Sequence, residues 1–265
     1  MVQSLPVKYR PKTFEEITGQ KSIIKILERQ VKSKNIAHAY LFAGPSGTGK
    51  TTLARALTNY INEFKGSPIE IDAASHNGVD DVRGIISNAN ERSIDSEYKV
   101  FIIDECHSLT SQAWQAFLKC IEEPPAYTIF MFCTTNPEKV PETIQNRVMK
   151  FNLTKISTDG IAERLRYICE EEHFSNYPEA CDYISKISNG GMRDAIATLE
   201  KCANYDIDLS INNVLECLGD FSYDSMFNLT VSIFNQDIGN VLSTLNNYYN
   251  SGYDLKLFIE QYLDF

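Results

Sequence analysis

The sequence predicts an α/β fold, a parallel sheet covered on both faces, followed by a wholly helical remainder. Three observations carry this reading. Short apolar runs at 39–43, 69–72, 99–103, 128–133 and 149–151 alternate with stretches of helical periodicity, as successive βαβ units require. A glycine-rich turn at 44–51, GPSGTGKT, joins the first run to a helix. After residue 153 the strand-like runs stop, and helical patterns continue near 158–173, 177–187, 191–204 and 210–217.

The elements follow in order. Residues 21–34 put Ile23, Ile24, Leu27 and Val31 on one helical face after a break at Thr18-Gly19. The apolar run Ala39-Tyr40-Leu41-Phe42-Ala43 reads as a buried strand. It breaks at Gly44, turns through Pro45, Ser46, Gly47, Thr48 and Gly49, and opens at Lys50-Thr51-Thr52 into a helix over 50–64. That is the spacing G-x-x-x-x-G-K-[ST] of a phosphate-binding loop, in which backbone N–H groups and a helix N-terminus face the anion. Lys50 would reach the β- and γ-phosphates, and the Thr51 hydroxyl would hold Mg²⁺.

The second strand, Ile69–Asp72, precedes a helix with Val79, Val82, Ile85, Ile86 and Ala89 on one side. The third ends in Asp104-Glu105. Helix 111–122 aligns Trp114, Phe117, Leu118 and Ile121 and stops at Pro124-Pro125, with Trp114 expected in the core. The fourth strand is nearly all apolar and therefore central. A short helix near 141–147 leads to the fifth, and three more helices are expected after Phe221.

Composition sets limits. With 43% hydrophobic and 23% charged residues, the 265-residue chain is ordinary globular material. No apolar run reaches membrane-spanning length and the N-terminus lacks a signal peptide's apolar stretch, so a cytoplasmic location without membrane association is expected. The seven cysteines form no C-x-x-C pair, which argues against zinc and for reduced, buried thiols. Residues 1–153 carry 18 Lys+Arg against 17 Asp+Glu, a net of +1, whereas 154–265 carry 7 against 18, a net of −11. The swing suggests a boundary near 153. It also confines any nucleic-acid contact to the first part.

The strand ending in Asp104-Glu105 delivers two carboxylates to the sheet edge where ligands bind in open α/β folds. Asp104 would coordinate Mg²⁺ and Glu105 would polarise an attacking water. Thr135 and Asn136, where the fourth strand leaves the sheet, would approach the γ-phosphate if that strand lies between the first and third; strand-end capping is the alternative. Arg147 ends a short helix, where a cation is favourable in any case. Arg193 sits in the first turn of a helix, where the dipole disfavours a cation. An anion opposite, such as ATP phosphates, would resolve this, and so would pairing with Asp194. His38, His76, His107 and His173 receive no catalytic role, and Glu170-Glu171-Glu172 reads as a solvated face.

These motifs together are recognisable. Over roughly residues 5–220 the chain resembles the AAA+ clamp-loader ATPases, in particular the gamma/tau subunits of bacterial DNA polymerase III. The resemblance lies in KYRPKTFEEITGQ at 8–20, AHAYLFAGPSGTGKT at 37–51, IEIDAASHNGVDDVR at 69–83, VFIIDECHSL at 100–109, FLKCIEEPP at 117–125, TTNPEKVPETIQNRV at 134–148 and NGGMRDAIATLEK at 189–201. It implies an AAA+ P-loop core with a five-stranded parallel sheet over 1–153. A three-helix lid over 154–220 and a partial helical collar over 221–265 would follow. ATP would bind between core and lid, with Tyr9, Arg10 and Pro11 near the adenine. Thr135 and Asn136 match the sensor-one corner, and Arg193 matches the lid arginine of sensor two. Arg147 matches the arginine that acts in trans on a neighbouring subunit's ATP. The implied partners are other clamp-loader subunits in a hetero-oligomeric ring of five, a sliding clamp and primer–template DNA.

Four departures qualify the resemblance. Relatives carry a four-cysteine zinc module before the second strand; here residues 63–68 bridge that gap without cysteine, so no zinc is expected. The finger motif Ser-Arg-Cys is Asn146-Arg147-Val148. Basic residues that follow DNA in relatives are replaced by His76, Asn77 and Gly78, leaving helix N-termini near Thr110-Ser111-Gln112 for phosphate contact. The stretch from Gly252-Tyr253-Asp254-Leu255 to Phe265 resembles the start of a collar helix, so a shortened chain or a compact viral version is expected. The alternatives are an AAA+ helicase or branch-migration motor, and a non-hydrolysing scaffold subunit of the loader ring.

Overall fold

The computed structural model describes residues 3–220, 223–250 and 255–264; Phe221, Gly252, Tyr253, Asp254 and Phe265 of the expected C-terminal helices lie outside the described residues. Five strands, β1 (Ala39–Ala43), β2 (Ile69–Asp72), β3 (Lys99–Asp104), β4 (Thr128–Thr134) and β5 (Met149–Asn152), form one parallel sheet in the order β2-β3-β4-β1-β5. All seven residues of β4 are buried, as its apolar run requires of a strand flanked on both sides.

Alternation along the strands divides the core into two layers. Leu41, Phe101, Ile103, Phe130 and Phe132 face one way, against α4 (Val79–Ala89) and α5 (Ser111–Glu122). Tyr40, Phe42, Ile102, Met131 and Cys133 face the other, against Leu27 of α2 (Lys21–Ser33) and Leu53, Ala54 and Leu57 of α3 (Lys50–Ile61). Phe132 has no exposed surface and meets Phe117 edge-on at 5.3 Å and Trp114 at 5.4 Å. Phe132→Ala is therefore expected to cost about 3–5 kcal/mol in denaturant unfolding.

Two helices are shorter than their sequence patterns. α3 ends at Ile61 because Asn62 turns its amide to Tyr98, accepting from the backbone N–H and donating to the carbonyl, both at 2.9 Å. Glu63 and Phe64 then take φ of +51° and +62°, which ends the helix. The helix expected over 141–147 is only Glu142–Gln145, so Arg147 lies beyond its end. A four-residue α1 (Leu5–Lys8) precedes α2, and α6 is the Glu142–Gln145 turn.

The chain forms two compact units. One runs through Arg164 and takes in Ser185–Ile196; the other takes in Leu165–Ile184 and continues from Ala197. The division differs from the boundary at 153 suggested by charge: the chain just beyond β5 stays bonded within the first unit. Leu153 N–H donates to the Ala43 carbonyl at 2.7 Å and Ile156 N–H to the Gly190 carbonyl at 3.2 Å.

The helices after β5 are α7 (Thr158–Glu171), α8 (Pro178–Ile187), α9 (Met192–Tyr205), α10 (Ile211–Leu218), α11 (Tyr223–Phe234), α12 (Ile238–Asn250) and α13 (Leu255–Asp264). Within the second unit Cys169 and Cys181 are buried with sulfurs 3.7 Å apart, and Met226, Leu229 and Phe258 form a small cluster. No helix among the described residues is long and apolar enough to cross a membrane.

Candidate nucleotide site

The site forms at the C-terminal ends of β1, β3 and β4, where the sheet order places β4 between β1 and β3. The loop after β1 is held by two glycines that cannot be replaced without movement. At Gly47, φ is +72° and an added Cβ would lie 2.9 Å from Gly191 Cα. At Gly44, φ is +155° and a Cβ would meet the Leu153 carbonyl at 2.6 Å. The Gly47 carbonyl accepts the N–H of Met192 at 3.0 Å, so the loop is tied directly to the first turn of α9.

Lys50 opens α3 and turns back over the loop. Its Nζ donates to the carbonyls of Gly44 and Pro45, each at 2.9 Å. Burial pushes its ammonium below the ordinary lysine value, while Glu105 and Asp104 oppose that shift. Thr48 Oγ1 donates to the Pro45 carbonyl at 2.9 Å. Thr51, the residue after Lys50, donates its hydroxyl to Asp104 Oδ2 at 2.8 Å. The residues predicted to share a metal therefore meet, although they stand on different elements. Both are hard oxygen donors of the kind Mg²⁺ takes, with room in its shell for phosphate and water.

Glu105 leaves β3 in the left-handed region, at φ +46°. For a non-glycine residue this stores roughly 1–3 kcal/mol, and such outliers gather at functional sites. Its N–H donates to Asp104 Oδ1 at 3.0 Å. Its Oε2 accepts from Thr135 Oγ1 at 3.1 Å. Asn136 donates its backbone N–H to Thr134 Oγ1 at 3.0 Å.

Beside the loop lies a cleft with about 990 Å³ of empty space, open solvent at its mouth included. Tyr9, Arg10 and Pro11 line it together with Ser46, Gly47, Thr48, Gly49, Lys50, Thr51, Thr52, Asp104, Glu105 and Arg193. Arg193 is exposed in the first turn of α9, and no Asp194 ion pair is present among the described residues. Burial, with Arg55 and Arg193 nearby, pushes the Arg10 guanidinium below the ordinary arginine value; Glu70 and Asp104 oppose it. Several cations thus converge on the cleft wall, a field that favours a polyanion.

Gly44, Pro45, Thr135 and Asn136 do not line the cleft, and neither does Arg147. Arg147 pairs with Glu122 at 2.8 Å and donates to the Thr143 carbonyl, also at 2.8 Å. Sequence reasoning missed three neighbours. His107 lies against Glu105, Arg164 donates to the Tyr9 carbonyl at 3.1 Å, and Arg55 pairs with Glu70 from one α3 turn past the loop.

The fold is that of the AAA+ P-loop ATPases. The solved structure of the Thermotoga maritima RuvB Holliday junction branch migration motor matches 90% of this chain and 85% of its own with a TM-score of 0.68, at 19% identity. At that identity the likeness defines the fold alone. The family model described as "DNA polymerase III, delta subunit" matches residues 19–70 and 65–157. DNA polymerase III subunit tau of Bacillus subtilis is 35% identical over 97% of this chain and 50% of its own length. DNA polymerase III subunit gamma of Buchnera aphidicola is 34% identical over 92% of this chain and 73% of its own. The chain belongs to the gamma/tau family of DNA polymerase III subunits. It spans about half the length of the Bacillus tau subunit.

Proposed function

We propose that this chain is an ATP-hydrolysing motor subunit of a loader that opens a DNA sliding clamp and places it on primed DNA. The observation that carries the reading is the meeting of Thr51 with Asp104 at 2.8 Å, beside Lys50 and Glu105 and under the Arg193 turn of α9. Thr51 and Asp104 would hold Mg²⁺, which supplies charge neutralisation for the β- and γ-phosphates. The loop N–H groups cradle the phosphates, and Lys50 exchanges its two carbonyl partners for phosphate oxygens. Tyr9, Arg10 and Pro11 enclose the base end. Glu105, steadied by Thr135, orients a water for attack on the γ-phosphate, and Asn136 completes that corner. Arg193 binds the phosphates from α9 in the same chain.

Arg147 would act on the ATP of the adjacent subunit, so a lone chain should hydrolyse slowly. Partners in such a ring would be other loader subunits, the clamp and primer–template DNA. Apolar side chains exposed on the second unit, Phe227, Phe234, Ile238 and Leu242 among them, suit burial against neighbouring subunits. The location is the cytoplasm, and no zinc is needed.

Calorimetric titration with Mg·ATP tests the site itself. The native chain is expected to bind, and Lys50→Ala to bind about 10- to 100-fold more weakly, the value of a charge-assisted hydrogen bond or two. Equal affinity for both proteins would contradict the assignment of the loop.

A further inference from the structure

His107 stands in the tight turn Cys106–Ser108 that follows Glu105. Its Nδ1 lies 3.2 Å from Glu105 Oε2 and 3.1 Å from Thr134 Oγ1, and its side chain is only 17% exposed. These neighbours decide where its proton sits. A carboxylate can only accept. The Thr134 hydroxyl accepts the N–H of Asn136 at 3.0 Å and can serve Nδ1 as donor or acceptor, so it does not choose between the tautomers. Glu105 does: a bare Nδ1 would face its carboxylate lone pair to lone pair, whereas a protonated Nδ1 donates to it, and the partner of one ring nitrogen sets the tautomer.

We propose that His107 carries its proton on Nδ1 and is a positioning residue for Glu105. The histidine and the Thr135 hydroxyl both donate to the same carboxylate oxygen, Oε2. Among the described residues Oε1 has no hydrogen-bond partner, so it is the oxygen left to face the attacking water. Two donors on one oxygen fix the rotation of a side chain that otherwise turns freely. The fixing is rigid because Thr134 and Thr135 stand at the end of β4, whose residues are all buried. The inference rests on reading Glu105 as the group that orients water.

Two measurements on the full chain test it. Imidazole ¹⁵N shifts of labelled protein, with His107 assigned by His107→Gln, should show the Nδ1–H tautomer in the native chain and its loss in Glu105→Ala. An Nε2–H ring in the native chain would overturn the proposal. Single-turnover hydrolysis should then slow about 10- to 100-fold in His107→Ala, the scale of a misplacement near 1 Å, with ATP affinity unchanged. His107→Asn, whose amide nitrogen falls near the place of Nδ1, should recover most of the rate. A rate within about twofold of native in His107→Ala, or an asparagine no better than alanine, contradicts the positioning role. Glu105→Gln measured alongside separates the two failures. If it too hydrolyses at the native rate, the reading of Glu105 has failed. If it is slow while His107→Ala is fast, only the histidine's part has.

Discussion

Glu105→Gln is expected to slow ATP hydrolysis by about 10²- to 10⁴-fold, the usual contribution of a positioned base, and to leave ATP binding intact. The shape of the side chain is kept and only its charge is lost. Thr135 can still donate to the remaining carbonyl-type oxygen, so the corner around β4 keeps its geometry. On this reading the lost charge would matter in the transition state, where the carboxylate would draw on the attacking water, and not in the ground state, where Lys50 and the loop N–H groups would hold the phosphates. Radiolabelled ATP retained on a filter, measured beside phosphate release, reads the two separately. Loss of both together would place Glu105 among the binding groups and contradict the assignment.

Arg147→Ala has the second large expected effect. In an assembled ring, hydrolysis should fall by about 10³- to 10⁵-fold at the neighbouring site, the value of an arginine finger in other NTPases. ATP should stay bound to the mutated chain itself. The structure raises one objection, because the guanidinium is engaged with Glu122 and the Thr143 carbonyl. Magnitudes answer it. The Arg147–Glu122 pair is 41% and 43% exposed, and such a surface pair is worth roughly 0–1 kcal/mol. The finger's contribution corresponds to about 4–7 kcal/mol. Release from Glu122 is therefore a small cost against the gain, and the present pairing fits a resting arginine. Mixing experiments, with the mutation confined to one subunit position, locate the lost site. Loss of ATP affinity in the mutated chain would refute action in trans.

The residues legible in the sequence are those whose chemistry is local. The phosphate loop is a contiguous spacing, and the central place of β4 follows from an apolar run buried on both sides. Arg193 stands out because a cation in a helix's first turn conflicts with the dipole. What the sequence left open depends on contacts between distant segments. The carbonyl of Gly47 receives Met192 N–H across more than a hundred residues, so 185–196 belongs with the sheet although its neighbours in sequence do not. The end of α3 at Ile61 depends on Asn62 finding Tyr98. Arg147 lies beyond α6 because that helix is a single turn, which periodicity cannot measure over so few residues. His107 carries no signal of its own until the left-handed turn at Glu105 brings it back against the carboxylate.

The central claim is that this chain couples ATP hydrolysis to a clamp and primed DNA. The direct measurement is its ATPase rate together with partner subunits, with and without sliding clamp and primer–template DNA. The account predicts a slow rate alone, stimulation when clamp and DNA are present together, and loss of that stimulation in Lys50→Ala. No hydrolysis under any condition, or stimulation by branched DNA without the clamp, would contradict it.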